Sequence, residues 1–446
     1  MIHSTAEYRD SLRAFKPRVF VNGRQVDSVA DEPALQPGIN AIGVTYDLAQ
    51  DSQARGLLTA VEAETGRTVN RNLHINRSTD DLLAKLEAVR VMCREAGCAQ
   101  RYLDQDAFNA IYQTAKRCDA EHGTDYFERF RAFLIEAQEQ DATYGVAMTD
   151  GKGDRSQKPH NQASADSYVH IVERRAEGIV ISGAKAIVTG APYVHGFVVM
   201  PCRAMTPDDR DYAVCCAVPI DADGITIVAR PAGRPGESDA VFSKRYAQTT
   251  GVVLFDNVFV PHDRVFLDGE TDMAGPLTQI YANHHRHSCI GARAGFGDLL
   301  IGAGALMIEA NGLDAERHTH LQDDMVELIK IVEGFFSTGV AASTYGLADA
   351  AGNYMPEPIF SNIGKLLLAT QIYDMHRLAH TVSGGLIVAL PKPEEDHNPA
   401  TAASLQEVLQ GNANIPVQQR MQTARLLEDL TASHQGGWYS VISLHG

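Results

Sequence analysis

The sequence has few cysteines and no two of them spaced as CxxC. The seven thiols, Cys93, Cys98, Cys118, Cys202, Cys215, Cys216 and Cys289, are an odd number thinly spread over 446 residues. That pattern excludes a secreted disulfide framework and the usual zinc spacings, and it makes most of these thiols small buried apolar groups. No GxGxxG follows a strand pattern, and no P-loop lysine motif or GxSxG nucleophile elbow occurs, so the familiar nucleotide and serine-hydrolase signatures are missing. Positive charge is also in deficit. Thirty-nine Lys and Arg against fifty-six Asp and Glu leave a formal charge of −17, which repels nucleic acid and anionic lipid, so neither is an expected partner. By its sequence no apolar run is expected to approach bilayer length, and Met1 to Leu12 carries charges where a signal peptide needs an apolar stretch. The expected location is cytoplasmic.

What is present is an ordinary globular composition, 44% hydrophobic and 21% charged, in a chain long enough for two or three domains. Between about 78 and 140 the apolar residues recur at helical spacing. Ser78 can cap a helix carrying Leu82, Leu86, Val89 and Cys93 on one face, with Gly97 as its stop. Gly123 and Thr124 supply a break and a cap before Tyr126, Phe130, Phe133, Leu134 and Ala137. From Ser167 to Arg264 the period changes to that of strands, in runs such as 168–172, 178–181, 197–200, 213–218, 225–229 and 252–255, separated by Gly, Pro, Asp and Asn. Beyond about 276 helical periodicity returns, with Met325, Leu328, Ile329, Val332, Phe335 and Phe336 forming a broad apolar face. Helices, then strands, then helices predict an α+β architecture: an N-terminal helical domain over 1–144, a central antiparallel β-domain over 145–275 and a C-terminal helical bundle over 276–446. Gly302, Gly304 and the run Ser383-Gly384-Gly385-Leu386 interrupt the helical pattern, as glycine does at close packing or beside a ligand.

One segment stands out chemically: Met148-Thr149-Asp150-Gly151-Lys152-Gly153-Asp154-Arg155, between the first helical part and the first strand. Its glycines permit close backbone approach to a planar ring or a phosphate, and Thr149, Lys152 and Arg155 supply donors. A solvated loop with charged punctuation has the same composition. Lys185 and Thr189 lie near a second turn, where a hydroxyl satisfied by backbone is the plainer reading. In the run His284-His285-Arg286-His287 only the first and last stand one helical turn apart, which disfavours a metal site.

The stretches AMTDGKGDR, GAKAIVTGA, VVLFDNVFVPHDRVFL, HHRHSCIGARAGFGD and SGGLIVALP, with TYDLAQ at 45–50 and DAFNA at 106–110, occur in an order that resembles the 4-hydroxyphenylacetate 3-monooxygenase and 4-hydroxybutyryl-CoA dehydratase superfamily. The resemblance runs the whole length of the chain. It implies an acyl-CoA-dehydrogenase-like fold, usually a homotetramer, with FAD between the β-domain and the helical bundle. It implies a flavin lying against Met148, Thr149, Lys152, Gly153, Asp154, Arg155 and Thr189, with Gly384, Gly385 and Leu386 approaching from a neighbouring subunit.

Departures from the family pattern narrow the activity. Cys98 and His285 match two ligand positions of the dehydratase iron–sulfur cluster, but Tyr102 and Ala292 stand where the other two cysteines belong, so no cluster and no other metal is expected. Thr250 and Ile442 replace glutamates and Cys289 a tyrosine of the dehydratase. Tyr102 matches a tyrosine of the phenol hydroxylases, whereas Cys98 and Val146 replace their arginine and histidine. The leading expectation is a two-component monooxygenase that receives reduced FAD from a separate flavin reductase and oxygenates a small aromatic or heteroaromatic substrate, with Tyr102, His285 and Thr189 as catalytic residues. His285 as a satisfied core histidine is the rival reading of that residue. The alternative activities are a cluster-free FAD enzyme that dehydrates, isomerises or dehydrogenates an acyl thioester, and a flavin-binding subunit without turnover.

Overall fold

The computed structural model describes residues 2–444. The N-terminal part contributes three helices that matter for the site: Thr79–Ala96, Tyr102–His122 and Tyr126–Glu139. Ser78 caps the first, accepting from Asp81 N, and Gly97 ends it at φ 70°. The second ends at Gly123 in the left-handed conformation. Thr124 does not cap the third. It donates to Asp119 Oδ1, and the Asp119 carboxylate takes the Tyr126 and Phe127 amides instead, because a carboxylate reaches two free donors at a helix start where one hydroxyl reaches one.

Two sheets form the middle of the chain. The larger has six strands in the spatial order Arg24–Gln25, Val19–Val21, Ile225–Pro231, Thr249–Pro261, Gly178–Thr189 and His170–Arg174. The smaller has four, in the order Val265–Asp268, Val214–Pro219, Gly196–Val199 and Tyr144–Ala147. Thr249–Pro261 buries alternate residues over most of its length, the mark of a strand with one face on a core. Val188, Phe197, Ile227, Val253 and Phe255 fill the space between the sheets. The first residues join this core: Val19–Val21 pairs parallel with Ile225–Pro231, and Tyr8 and Leu12 pack in the same cluster. The β-unit therefore recruits an edge from the region 1–144, and the bundle's first helix starts at Thr271.

That helix, Thr271–Ala310, is the axis of the C-terminal part, flanked by Thr319–Thr344, Pro358–Val382, Val417–Thr431 and His434–Leu444. By length and composition it is apolar enough to cross a membrane, which corrects the expectation that no segment is. Small Ala and Gly residues interleaved with His and Arg hide the run in the sequence, and 67% of its most apolar window is buried inside the fold, as in a core helix. Its glycines admit Thr79–Ala96: a Cβ on Gly291 would stand 2.6 Å from Leu86 O, and one on Gly295 2.7 Å from Arg94 N. Gly304 lies against Val382 and Met325, whereas Gly302 faces open space.

Candidate active site

The axial helix presents Tyr281, His285, Cys289 and Arg293 at successive four-residue steps, which places all four on one face. They line a cavity of about 120 Å³ together with Cys98, Gln100 and Tyr102 at the start of Tyr102–His122. The opposite wall is β-structure. Strand Tyr144–Ala147 runs on into Met148 and Thr149, whose carbonyl accepts from Ala186 N. Ile187 and Thr189 complete that wall, and Trp438 and Ile442 of the last helix close the cavity.

His285 is held on every side. Its ring stacks between Tyr281 (5.5 Å between centroids, 10° between planes) and Tyr102 (6.4 Å, 16°). Nδ1 lies 3.3 Å from Asp106 Oδ2, and Nε2 lies 3.4 Å from Cys289 Sγ. Asp106 is fully buried, and its other oxygen accepts from Lys85 Nζ at 2.5 Å and Ser288 Oγ at 2.7 Å. A carboxylate in that position stays charged: burial raises its pKa, but Lys85 and His285 together bring it down to about 2. Burial disfavours protonation of His285, yet the Cys289 sulfur and Asp106 outweigh it and lift the imidazole to about 9. Burial likewise works against a Cys289 thiolate, but His285 first, then Lys365 and Arg293, hold the thiol at about 6. The two shifts act together: each group favours the charged form of the other, so the pair leans toward thiolate and imidazolium.

Two further groups bear on the cavity. Arg293 is buried, with Nε donating to Ser443 Oγ at 2.5 Å, while Nη1 has no partner among the described residues. Burial opposes its charge, and Cys98, Tyr102 and Cys289 more than restore it. Cys98 is lowered to about 7, chiefly by the hydrogen bond from Cys93, and its Sγ lies 3.8 Å from Tyr102 Oη. The amide of Gln100 is also buried, and neither polar atom makes a well-formed hydrogen bond among the described residues.

A larger cleft of about 710 Å³ opens on the other side of Ile187, Trp438 and Ile442, between the six-stranded sheet and the last helix. Trp438 Nε1 donates to Thr250 Oγ1 across it at 3.1 Å. Ile187 sits at a bulge where the pairing of Gly178–Thr189 with Thr249–Pro261 shifts register, and its φ is +59°. A β-branched residue in that region is strained by about 1–3 kcal/mol, a cost typical of functional sites.

Of the residues singled out in the sequence, Met148, Thr149, Tyr102, Thr189 and His285 meet in the small cavity. Lys152, Gly153, Asp154 and Arg155 do not line it. Lys152 takes φ +70°, and Gly153 to Arg155 are exposed on the loop beyond. Gly384 and Gly385 are exposed in left-handed turns after Pro358–Val382, with Leu386 beside them, away from the cavity within one chain. Lys185 faces inward: it bonds Met148 O at 2.8 Å and Met200 O at 2.7 Å and pairs with Asp150 at 2.6 Å, so it braces the wall. His284 and His287 are buried away from the cavity, the latter 2.7 Å from Ser343 Oγ. Sequence reasoning passed over Asp106 as an acid–base partner, Gln100, Arg293 and the pairing of Cys289 with His285. The last was available as a four-residue step; the Asp106 contact, 179 positions away, was not.

The donor set suits a flavin in part. A buried amide at Gln100, without a well-formed hydrogen bond among the described residues, faces hydroxyls at Thr149 and Thr189 across the cavity, donors and acceptors that the edge of a polar heterocycle can use. The sulfur ligands for a cubane are short: Cys98, Cys289 and His285 line the cavity beside Tyr102, two thiols and one imidazole where a cubane takes four ligands, thiolates above all.

The model of the 4-hydroxyphenylacetate 3-hydroxylase N-terminal domain matches residues 4–267, and that of the C-terminal domain residues 274–446. The chain is 35% identical to 4-hydroxybutyryl-CoA dehydratase/vinylacetyl-CoA-Δ-isomerase of Clostridium aminobutyricum, over 100% of this chain and 94% of that protein. It is 24% identical to the oxygenase component of 4-hydroxyphenylacetate 3-monooxygenase of Thermus thermophilus, over 98% and 90%. An oxygen-tolerant archaeal 4-hydroxybutyryl-CoA dehydratase from N. maritimus superposes with a TM-score of 0.96 at 33% identity, over 100% of this chain and 89% of that one. The oxygenase component of 4-hydroxyphenylacetate 3-monooxygenase in complex with FAD superposes with a TM-score of 0.87 at 22% identity, over 99% and 92%, which speaks for the fold. With its acyl-CoA-dehydrogenase-like fold, the chain belongs to the 4-hydroxyphenylacetate 3-hydroxylase family, which includes both flavin monooxygenases and a dehydratase.

Proposed function

We propose that the chain is a cytoplasmic, flavin-dependent enzyme that moves protons on an acyl thioester, isomerising or dehydrating it without an iron–sulfur cluster. The observation that carries this reading is the pairing, in one cavity, of His285 oriented by Asp106 with the buried Arg293, whose Nη1 has no partner among the described residues. A proton leaves the carbon beside a thioester carbonyl only if the oxygen can take up charge, and a buried guanidinium supplies that stabilisation. The His285–Cys289 pair carries one proton between two heavy atoms 3.4 Å apart and can accept a second. It takes the α-proton and returns one at the far end of the allylic system. The 35% identity to an enzyme named for dehydration and Δ-isomerisation supports the same chemistry.

A bound flavin supplies a redox-active ring beside this proton chemistry. Gln100, Met148, Thr149 and Thr189 would hold it, and Lys152, Gly153, Asp154 and Arg155, with Gly384, Gly385 and Leu386 of a neighbouring subunit in a homotetramer, would extend the site. The test is to incubate the FAD-loaded protein with a vinylacetyl thioester in deuterated buffer and follow the carbons by NMR. Exchange and conversion to the conjugated isomer are expected; a substrate that stays fully protonated sinks the reading.

A second reading keeps the monooxygenase. Tyr102 stacked on His285 favours it, since an aromatic wall beside a donor suits a planar phenol or heteroaromatic substrate. In that case reduced FAD arrives from a separate flavin reductase. Oxygen uptake coupled to hydroxylation of one member of a phenol panel supports this reading over the first.

A further inference from the structure

Cys289, His285 and Asp106 form a line of three groups in hydrogen-bond reach, sulfur to imidazole at 3.4 Å and imidazole to carboxylate at 3.3 Å. This is the arrangement by which a thiol is activated for attack: a nucleophile, a base, and a third group that orients the base. Lys85 and Ser288 pin the carboxylate from behind, and the two tyrosines fix the ring, so the imidazole has one orientation to offer. Cys98 lines the same cavity without such support, since its neighbours are Cys93 and the Tyr102 hydroxyl.

We propose that Cys289 is a nucleophile that forms a reversible thioether with the β-carbon of an α,β-unsaturated acyl thioester. The proposal rests on the acyl-thioester reading, because isomerising a β,γ-unsaturated thioester creates a conjugated electrophile inside the cavity that holds the thiolate. Sulfur bonds to the β-carbon as the carbon–carbon π bond breaks. The electron pair moves onto the thioester oxygen, where Arg293 stabilises it. The enolate then takes the His285 Nε2 proton at the α-carbon, leaving a neutral imidazole and a saturated thioether. In reverse, His285 removes the α-proton and the thiolate leaves. No electrons are gained or lost overall, so no oxidant or reductant is needed.

The experiment incubates the FAD-loaded protein with but-2-enoyl-CoA, quenches it in acid and maps the adduct by peptide mass spectrometry. One enoyl-CoA per chain on the Cys289 peptide is expected. In a separate measurement on the wild type, prior but-2-enoyl-CoA is expected to slow iodoacetamide alkylation of Cys289 by about tenfold or more, a readout that needs no variant. Cys289→Ser, of similar volume, is expected to show no adduct while melting near the wild type, and His285→Gln to form the adduct at least about tenfold more slowly. An adduct on Cys98 alone, or unmodified Cys289 with unchanged alkylation, overturns the proposal. Deuterium exchange into vinylacetyl-CoA, run on the same samples, separates the two ideas. Exchange without an adduct removes the nucleophile and leaves the proton chemistry; an adduct without exchange does the opposite.

Discussion

Asp106 sets the charge of its neighbours. It neutralises buried Lys85, accepts from Ser288 and raises the proton affinity of His285. Asp106→Asn keeps the shape but strands Lys85, and losing one partner of a buried ion pair costs about 3–5 kcal/mol. A loss of unfolding free energy of that size, read from denaturant titration, is expected, together with a drop of about 10²–10⁴ in kcat. Cys289 makes a second residue-level prediction. With its thiol at about 6, alkylation should be near its plateau at pH 7 and fall as the pH drops below about 6. A thiol of ordinary pKa would still be gaining reactivity above pH 8.

Asp104, two positions from Asp106, shifts the other way. Burial drives it up to about 7 in spite of Arg101 and its hydrogen bonds from the Tyr144 amide and Thr143 hydroxyl. A carboxyl that binds its proton more tightly when folded than the usual value of about 3.9 contributes stability that is complete below pH 4 and lost as the pH rises to about 7. Asp104→Asn should flatten that slope, read as the difference in urea midpoint between pH 5 and pH 7.5.

Glycine placement separates packing from propensity at the level of elements. Gly295→Ala drives a Cβ into the backbone of Thr79–Ala96 and should cost about 1–3 kcal/mol, whereas Gly302→Ala meets open space and should stabilise the axial helix by about 0.5–1 kcal/mol. Thermal midpoints of the two variants should move in opposite directions. The elements themselves were largely legible. Ser78 bounds a helix through its hydroxyl and Gly97 through a backbone free to take φ 70°; the strand runs at 178–181 and 252–255 lie within observed strands, and the run 197–200 oversteps one by a residue. The bulge at Ile187 was not legible, because an isoleucine carries no signal for a left-handed backbone and the kink is imposed by the pairing of Ala186 with Thr149 and the register of the facing strand. Nor was the role of Lys185, whose partners are the carbonyls of Met148 and Met200 and the carboxylate of Asp150, from two separate stretches.

Across the whole molecule, the site is assembled from all three parts of the fold: Tyr102 and Asp106 from the N-terminal helices, Thr149 and Thr189 from the β-region, His285, Cys289 and Trp438 from the C-terminal bundle. Four-residue periodicity alone put His285 and Cys289 on one face, but what makes His285 more than a core histidine is a carboxylate delivered by another helix. Local sequence cannot announce such a meeting, since it depends on how three helices dock.

The Lys85–Asp106–His285 chain has a consequence for how the protein fails. Its members belong to Thr79–Ala96, Tyr102–His122 and Thr271–Ala310, so parting any one of these helices from the other two breaks a link of the chain and opens a buried charge to water in the same motion. Heat inactivation should therefore track the main melting transition without an earlier silent phase, and a population that still turns over is one in which the three helices are docked.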